Sequence, residues 1–418
     1  MDKKYLNLLK KYWPVAIAIL FALAIALELI QRDDNQYTVN NQNSEVKLSE
    51  GAQDELWGFY NKAQDFRGRE NPAINKSTAT FLAVGDIMLS RNVAQKVKDA
   101  NDPLLPFHPL TPLFQSVDFS FGNLESPFSG KDTFNSTGSM VFNAPRDNIK
   151  GLVENKFKIL NLANNHALDQ GAPGLDYTIK YLDENNIKHI GVGLTLNDAW
   201  MPAVIEQNGV KICFIGASYA SINDSGKTTN DYVARIEDLD RLKSSILNLK
   251  STCDFIVASM HAGTEYTTKP NQSQIDFAHK AIDFGADMVI GAHPHWVQTI
   301  EKYCPTTSSP PFQGGVSAES GRGGYGCKYI FYSLGNFIFD QMWSQETREG
   351  LTLKIQISKS NPPAGGQNEL QGSKVPASLD SVELIPIIID NYSTPRLADE
   401  KETKKILERI GETNTVLK

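Results

Sequence analysis

The stretch "MVIGAHPHWVQTI", residues 288–300, places two histidines one residue apart, directly after an apolar run and a small-residue turn. In an extended segment His293 and His295 would project to the same face, because successive side chains of a strand alternate. Such a pair is typical of a metal-binding edge, but two ordinary polar residues at a strand end give the same pattern. The rest of the chain decides between these interpretations.

Short β-branched or aromatic runs recur from Thr80 onward, with helix-like stretches between several of them. This alternation predicts an α/β domain with largely buried sheets. We expect that domain over residues 78–395, followed by a C-terminal helix and tail over 396–418. The strand-like runs include "TFLAVGD", "VDFSFGNLE", "FKILNLANNH", "VKICFIGAS", "DFIVASMH", "WVQTIEKY", "KYIFYSLGN", "LTLKIQIS" and "VELIPIIID".

The amino-acid composition limits the classes of protein to which the chain can belong. The 418 residues are 41% hydrophobic and 21% charged, which is typical of a globular chain with a sizeable core. The formal net charge is −7, and no concentrated Lys/Arg patch follows the first eleven residues. We therefore expect no nucleic-acid partner.

The N-terminal segment has the pattern of a membrane anchor. Four lysines precede an apolar run over residues 12–30 that only Glu28 interrupts, and such a helix would span roughly 28 Å, about one bilayer core. The lysines place the N-terminus in the cytoplasm. A cleaved signal peptide and a buried helix are the alternatives. We expect residues 1–30 to anchor the chain, 31–77 to form a polar stalk, and the folded domain to lie outside the cytoplasm at the cell membrane.

The four cysteines fit an oxidising compartment. Cys304 and Cys327 bracket a Pro/Gly/Ser-rich insert over 304–327, and we expect a disulfide to close it, worth about 3 kcal/mol on a chain-entropy model. Cys213 and Cys253 have the pattern of core residues.

Polar side chains follow five of the predicted strands. Ligands of α/β sheets bind outside the carboxyl ends of the strands, so these side chains are expected to meet. Oxygen and imidazole donors of this kind suit Mn²⁺, Zn²⁺ or Fe in a hydrolytic site of one or two ions. Any single histidine, taken alone, is more simply a hydrogen-bonded structural residue. The strand-end residues are Asp86, Asn123, Glu125, Asn164, Asn165, His166, His261, His293 and His295.

The order of these motifs is similar to that of calcineurin-like metallophosphoesterases, and more closely resembles the CapA family of capsule and poly-γ-glutamate synthesis proteins. The resemblance implies a metallophosphatase-like sandwich of two β-sheets flanked by helices. It also implies a membrane-associated role outside the cytoplasm in making or exporting an anionic capsule polymer. The stretches that carry it are "AVGDIMLSR", "FGNLESPF", "LNLANNHALDQG", "MHAGTEY", "GADMVIGAHPHWVQ" and "IFYSLGNFIFDQ".

Residue by residue, the resemblance implies a metal set of Asp86, Asn123 or Glu125, Asn165, His166, His261, His293 and His295, with Asp86 and His166 also catalytic. Two departures matter. Met88 stands where such enzymes usually have a histidine, and "NLE" replaces the usual bridging aspartate. Both weaken one metal position, so the alternatives are two ions, one ion or none.

Neighbouring residues are candidates for substrate contacts. Arg91 could bind a carboxylate or phosphate with two hydrogen bonds, a surface ion pair being the alternative. Glu265 and Tyr266 follow His261 on a loop and could also contact substrate. Asp169 could orient His166, or start a helix instead.

Three functions remain open from the sequence. The first is a membrane-anchored CapA-like protein with a metal-dependent hydrolase site for an anionic capsule polymer. The second is a non-catalytic polymer-binding or assembly factor, working with other membrane subunits of an export complex. The third is a metallophosphoesterase of unknown substrate.

Overall fold

Two mixed β-sheets take up the apolar runs of the sequence. The computed structural model describes residues 76–136, 138–219, 231–305, 326–360 and 377–418, and all of them belong to one compact unit. The strands are β1 (Lys76–Ile87), β2 (Phe119–Leu124), β3 (Phe157–Asn161), β4 (Lys188–Ile190), β5 (Ala203–Gln207), β6 (Val210–Ser218), β7 (Phe255–His261), β8 (Met288–Ala292), β9 (Ile300–Tyr303), β10 (Lys328–Phe331), β11 (Asn336–Ile338), β12 (Glu349–Ser360), β13 (Ser378–Asp390), β14 (Thr394–Leu397) and β15 (Val416–Leu417).

Helices cover the outer faces of both sheets. Several begin at a residue whose side chain accepts a backbone N–H of the first turn, as Asp238, Asn271 and Asp399 do. The helices are α1 (Arg91–Ala100), α2 (Thr111–Gln115), α3 (Ile149–Glu154), α4 (Gly171–Glu184), α5 (Leu196–Ala199), α6 (Leu239–Leu249), α7 (Gln272–Phe284), α8 (Gln345–Arg348) and α9 (Glu400–Arg409), with short 3₁₀ turns at His108–Leu110 and Arg146–Asn148.

The strand order builds a sandwich. One sheet runs β14-β13-β12-β1-β2-β3-β4, with β11 beside β1 and β15 beside β13, and the other runs β5-β6-β7-β8-β10-β9. Apolar side chains from both sheets form a shared core, in which Phe81 stacks on Phe119 at 5.0 Å and Phe121 on Phe214 at 5.1 Å between ring centroids. The predicted α/β sandwich of two sheets flanked by helices is confirmed.

Parallel pairing brings the carboxyl ends of the central strands together. In the first sheet β1, β2, β3 and β4 are parallel, and Asp86 is opposite Asn123, which is opposite Asn161. In the second sheet β6, β7, β8 and β10 are parallel, and His261 is opposite Ala292. Polar residues that are far apart in sequence therefore lie at one rim.

A close backbone contact fixes the end of β1. The N–H of Asp86 donates to the carbonyl of Gly335 at 3.0 Å. A Cβ atom on Gly85 would lie 1.9 Å from that carbonyl oxygen, so only glycine fits before the aspartate.

The chain ends differ in how far the structure describes them. The predicted anchor, and the stalk up to residue 75, lie outside the described residues. Within the described ranges no helix is both long and apolar enough to span a bilayer. The folded unit continues past the predicted boundary, because α9 follows β14 and Val416–Leu417 pairs with β13.

Both pairs of cysteines are bonded. The predicted disulfide between Cys304 and Cys327 is confirmed, while residues 306–325 of the insert lie outside the described residues. Cys213 and Cys253 are buried as predicted, but they also form a disulfide, which the sequence interpretation missed. The reason is topological: β6 and β7 are parallel neighbours, so residues 40 apart in sequence come to the same edge.

The disulfide between Cys213 and Cys253 yields a direct prediction. When the full-length chain is unfolded without reductant and treated with an alkylating reagent, no cysteine should be labelled, because all four are bonded. Replacing Cys213 and Cys253 with alanine should lower the free energy of unfolding by about 4 kcal/mol in urea titrations. Label on Cys213 or Cys253 before reduction would contradict the pairing.

Candidate metal centre

Asp86 lies where the two sheets meet. Its carboxylate is fully buried, and it accepts hydrogen bonds from Asn123 Nδ2 at 2.8 Å and from the backbone N–H of His293 at 3.2 Å. Two imidazole nitrogens also approach it: His261 Nδ1 at 3.7 Å and His295 Nδ1 at 3.5 Å. Groups from both sheets thus surround one carboxylate.

Asn123, one of two candidates for the bridging position, is occupied by hydrogen bonds. Its Nδ2 donates to Asp86, and its Oδ1 accepts from Asn161 Nδ2 at 3.0 Å and Asn164 Nδ2 at 3.4 Å. Asn123 therefore holds its neighbours in place. Glu125 is therefore the remaining candidate for the bridging position, since its oxygens accept no hydrogen bond within the described residues.

Glu125 is a buried carboxylate beside that of Asp86, and no N–H group of the described residues donates to it. Neither of its side-chain oxygens is hydrogen-bonded within the described residues, and the side chain is fully buried. His166 Nε2 lies 3.7 Å and His295 Nε2 3.9 Å from Glu125 Oε1. Burial, followed by the negative charge of Asp86, raises the pKa of Glu125 well above its usual range.

Hydrogen bonds select the ring tautomers of His166 and His295. His166 Nδ1 lies 2.8 Å from Asp169 Oδ2, and His295 Nδ1 lies 2.9 Å from Asn336 Oδ1. Because these oxygens accept hydrogen bonds, each Nδ1 carries the hydrogen, and each Nε2 presents a lone pair toward the buried carboxylate. Asp169 thus makes the contact to His166 that the sequence suggested.

A second group of side chains lies beside Asp86. His261 Nε2 is 2.7 Å from Asn165 Oδ1 and 3.1 Å from His293 Nδ1. Burial, and then the charge of neighbouring histidines, lowers the pKa of both His261 and His293 well below the usual value. Both rings are therefore neutral at physiological pH.

The backbone of the H-x-H stretch differs from the expectation. Strand β8 ends at Ala292, and the next histidines have left-handed backbones, with φ of 102° at His293 and 60° at His295. The extended geometry predicted for this pair is wrong, because the chain turns as it leaves the sheet. The turn sends His293 toward Tyr219 and His295 toward Phe339, with ring centroids 4.6 Å and 4.9 Å apart.

Strained backbone accumulates around the centre. Arg91 and Tyr266 also have positive φ, of 46° and 61°. Each such non-glycine residue costs of order 1–3 kcal/mol and persists only where its surroundings impose it. Arg91, Tyr266 and His295 border one cavity.

That cavity is lined by His166 and His295, the two histidines that approach Glu125, and has a volume of about 350 Å³. This is at the lower end of the size range of small-molecule sites. Its wall combines charged, aromatic and apolar side chains, among them Arg91, His166, Glu265, Tyr266, His295 and Trp343. All three substrate-contact candidates from the sequence therefore line it.

Arg91 is a buried wall residue, so the alternative of a surface ion pair is wrong. Its guanidinium forms a salt bridge with Asp340, donates from Nη1 to the carbonyl of Ser139 at 3.1 Å, and lies over the ring of Phe142 at 4.8 Å. Its Nε–H is buried and has no acceptor within the described residues. The side chain is thus held rigidly with one donor unused.

The mouth of the cavity has a different character. Glu265 is exposed there, and Trp343, with 61% of its surface exposed, contacts Tyr266 edge-on at 4.8 Å between ring centroids. Burial, and then the charge of Glu265, raises the pKa of Tyr266 to about 12. The tyrosine hydroxyl therefore stays protonated at neutral pH.

Met88, which stands where metallophosphoesterases usually have a histidine, packs in the hydrophobic core. Met88 is fully buried in the apolar cluster outside the first sheet, and its sulfur accepts the backbone N–H of Ser90 at 3.1 Å. It adds no ligand at this edge.

Three residues of the site were not found from the sequence. Asp340 follows β11 and could have been identified by the strand-end rule applied to Asp86. Asn161 ends β3, inside a run taken as apolar. Phe142 stacks on His166 at 3.9 Å between ring centroids from a loop with no sequence signal.

The donor set fits a divalent cation. Ligand atoms of Asp86, Glu125 and His295 lie within 4.8 Å of one another, and all three residues are buried. An unpartnered buried carboxylate is costly unless a cation compensates it. Carboxylate oxygens with an imidazole nitrogen suit Mn²⁺, Zn²⁺ or Fe²⁺.

Comparison with known families agrees with the motif order. The sequence pattern of the family described as "Bacterial capsule synthesis protein PGA_cap" matches residues 80–341, which include every strand end at this rim. The chain belongs to this family. The resemblance inferred from the motifs is confirmed.

Relatives in the PGA_cap family carry related names. The chain is 30% identical to "PGA biosynthesis protein CapA" of Bacillus subtilis, over 70% of this chain and 72% of that protein. It is 29% identical to "Capsule biosynthesis protein CapA" of Bacillus anthracis, over 64% of this chain and 61% of that protein. A "Probable polyglutamine synthesis accessory protein" of Mycobacterium tuberculosis is 27% identical, over 45% of this chain and 52% of its own length.

Likeness to solved structures is weaker. A 5'-nucleotidase precursor from Thermus thermophilus aligns with 80% of this chain and 57% of its own length, at 13% identity and a TM-score of 0.38. A TM-score this low supports no statement about the PGA_cap chain.

Substitution of Glu125 should raise the free energy of unfolding without metal and should reduce the stabilisation by Mn²⁺. In a chelator, Glu125→Gln should raise the free energy of unfolding by about 1–3 kcal/mol. Without a cation the buried carboxyl must either keep an unpartnered charge or take up a proton, and glutamine does neither. Saturating Mn²⁺ should stabilise the wild-type chain by about 3 kcal/mol at 100 times Kd, and the variant by much less. Urea titrations with and without Mn²⁺ measure both effects.

The exposed Glu184→Gln substitution on α4 is the control and should change neither value. If Glu125→Gln destabilises the chelated protein and leaves the Mn²⁺ effect intact, Glu125 is not a cation ligand.

Proposed function

We propose that this chain acts in capsule polymer synthesis or export, as a metal-dependent hydrolase or transferase of an anionic polymer such as poly-γ-glutamate. The bond attacked would be a γ-glutamyl amide or a phosphoester. The observation that carries the proposal is the fully buried carboxylate of Glu125, which has no hydrogen-bond partner within the described residues and lies beside Asp86 and His295. His295 also lines the cavity, so the carboxylate lies directly behind the cavity wall. A divalent ion held there supplies Lewis-acid polarisation of a carbonyl or phosphoryl oxygen.

His166 is the candidate for proton transfer. Its ring is held by the contact of Nδ1 with Asp169 and by stacking on Phe142, so Nε2 faces the cavity in a fixed orientation. From that position the Nε2 lone pair can take a proton from an attacking water and then pass it to the leaving amine or alcohol, and such general acid–base catalysis typically contributes 10²–10⁴-fold.

Arg91 is the candidate for recognition of an anionic group. Its buried Nε–H has no acceptor in the part of the chain that the structure describes, and its guanidinium is already oriented by Asp340. A substrate carboxylate or phosphate oxygen in the cavity would satisfy that donor. The protonated hydroxyl of Tyr266 and the carboxylate of Glu265 supply a donor and an acceptor at the mouth.

The charge of the whole chain limits where a polyanion can bind. With a formal net charge of −7, the surface at large repels an anionic polymer. Recognition is therefore confined to the cavity, where Arg91 and a bound cation supply positive charge.

The location follows from the N-terminal sequence. The apolar run over residues 12–30, with lysines before it, supports a single anchor in the cell membrane with the folded domain outside. At that surface the domain would meet a polymer as it leaves the cell, together with other membrane subunits of a synthesis complex.

A non-catalytic role is the second candidate. Asn123 in place of a charged bridging residue, and Met88 in place of a histidine, favour a centre that binds polymer or organises an export complex without cleaving it. Co-purification with membrane subunits that survives Asp86→Asn and His166→Asn would favour this role over hydrolysis.

The catalytic proposal is tested with the full-length chain in detergent micelles. The chain is loaded with Mn²⁺, Zn²⁺ or Fe²⁺ and incubated with poly-γ-glutamate, or with bis(p-nitrophenyl) phosphate. We expect metal-dependent shortening of the polymer by size-exclusion chromatography, lost in Asp86→Asn and retained in the exposed control Asp147→Asn. No hydrolysis of either substrate with any of the three metals would leave the non-catalytic role.

The role of His166 has its own test. His166→Asn should lower the turnover rate by 10²–10⁴-fold while the metal content is unchanged. Asp169→Asn, which frees the ring, should lower it by about 10–100-fold. Metal analysis and initial rates measure both, and a rate unchanged in His166→Asn would remove this residue from the chemistry.

A further inference from the structure

The centre has two sides: Glu125 and His295 lie on one side of Asp86, and Asn165, His261 and His293 lie on the other. The orientation of the Asn123 side-chain amide, which donates to Asp86, is set by its neighbours. Its Nδ2 is 2.8 Å from a carboxylate oxygen of Asp86, whereas its Oδ1 faces the Nδ2 groups of Asn161 and Asn164. Rotating the amide would place oxygen against oxygen on one side and donor against donors on the other. The donor end of Asn123 must therefore point at Asp86.

This orientation removes the bridging ligand that a pair of ions needs. The one side-chain oxygen of Asn123 already accepts two hydrogen bonds, and it carries no formal charge. An amide nitrogen that donates to Asp86 cannot bind a cation. Asn123 is therefore a positioning residue.

The charges of the centre match one divalent ion. Asp86 and Glu125 contribute two negative charges at the buried rim. Of the other carboxylates nearby, Asp169 accepts from His166 and from the backbone N–H of Phe142, Asp340 is bound to Arg91, and Glu265 lies at the exposed mouth of the cavity. A second divalent ion would bring two uncompensated positive charges into a buried site, which is costly.

The histidine rings on the two sides of Asp86 differ in which nitrogen carries the hydrogen. On the Glu125 side, the contact of His295 Nδ1 with Asn336 leaves Nε2 as a lone pair. On the other side, Asn165 directs its oxygen at His261 Nε2, so that nitrogen carries a hydrogen. A protonated ring nitrogen is a hydrogen-bond donor and cannot be a metal ligand, so His261 could offer an ion only Nδ1, which lies 3.7 Å from Asp86 Oδ1 and has no hydrogen-bond partner within the described residues. A second ion there would have to share Asp86 with the first and would find no bridging oxygen on Asn123.

From these observations we infer that the chain keeps one resident divalent ion, held by Asp86, Glu125 and His295. Asn165, His261 and His293 form a hydrogen-bonded cluster that supports Asp86 and does not hold a second ion. Asn123 is the residue that sets this number. The inference rests on the proposed metal use of this site and specifies its stoichiometry.

The experiment counts ions in the full-length chain. After loading with Mn²⁺ and removal of the excess, elemental analysis should give one equivalent for the wild-type chain. Electron paramagnetic resonance should show the resolved hyperfine lines of an isolated Mn²⁺. Asn123→Asp, which supplies a charged bridging oxygen, should rise to two equivalents with an exchange-coupled signal. The exposed Asn197→Asp is the control for added charge and should stay at one equivalent.

His261→Asn keeps the test decisive even if Asn123→Asp does not fold. It should retain one equivalent, because the resident ion lies on the Glu125 side. Two equivalents in the wild-type chain, or loss of the ion in His261→Asn, would overturn the single-ion assignment and leave metal-dependent hydrolysis standing. One equivalent in folded Asn123→Asp would overturn the role of Asn123. No bound metal in the wild-type chain would overturn the proposed function as well.

Discussion

The burial of two carboxylates at the junction of two sheets governs the rest of this structure. Asp86 receives hydrogen bonds from Asn123 and from the backbone of His293, whereas Glu125 receives none within the described residues. Without a cation, such a buried carboxylate either keeps a charge that costs several kcal/mol or takes up a proton, as its raised pKa indicates. A bound cation is the compensation that the surrounding donors are arranged to accept, and it connects the folding of the PGA_cap domain to its chemistry.

The residues around the centre also have strained backbone conformations. Left-handed backbone conformations occur where the chain leaves the sheets, at His293 beside Asp86 and at His295, Tyr266 and Arg91 in the cavity wall. These strained turns persist because they are attached to a large core, in which apolar side chains of both sheets interlock. Rigid strands therefore fix the positions of the ligands, and the strained residues that follow them set the directions of the side chains.

Much of this arrangement could be predicted from the sequence, because parallel strands deliver their last residues to a common edge. Asp86, His261 and His293 were placed near one another by that rule alone. The rule does not give backbone angles, so the turn at His293 was missed. Nor does it distinguish Asn123 from Glu125, since that choice depends on which amides pack beside each residue. The disulfide between Cys213 and Cys253 and the salt bridge between Arg91 and Asp340 join distant segments, and no local pattern marks them.

The central claim is that Glu125 is buried in order to hold a cation, and anomalous diffraction tests it most directly. Crystals of the Mn²⁺- or Zn²⁺-loaded chain, measured at the absorption edge of the metal, should show a peak about 2.0–2.2 Å from oxygens of Glu125 and Asp86 and from a nitrogen of His295. A difference map without an anomalous peak there, with Glu125 hydrogen-bonded to ordered water or to another side chain, would contradict the account.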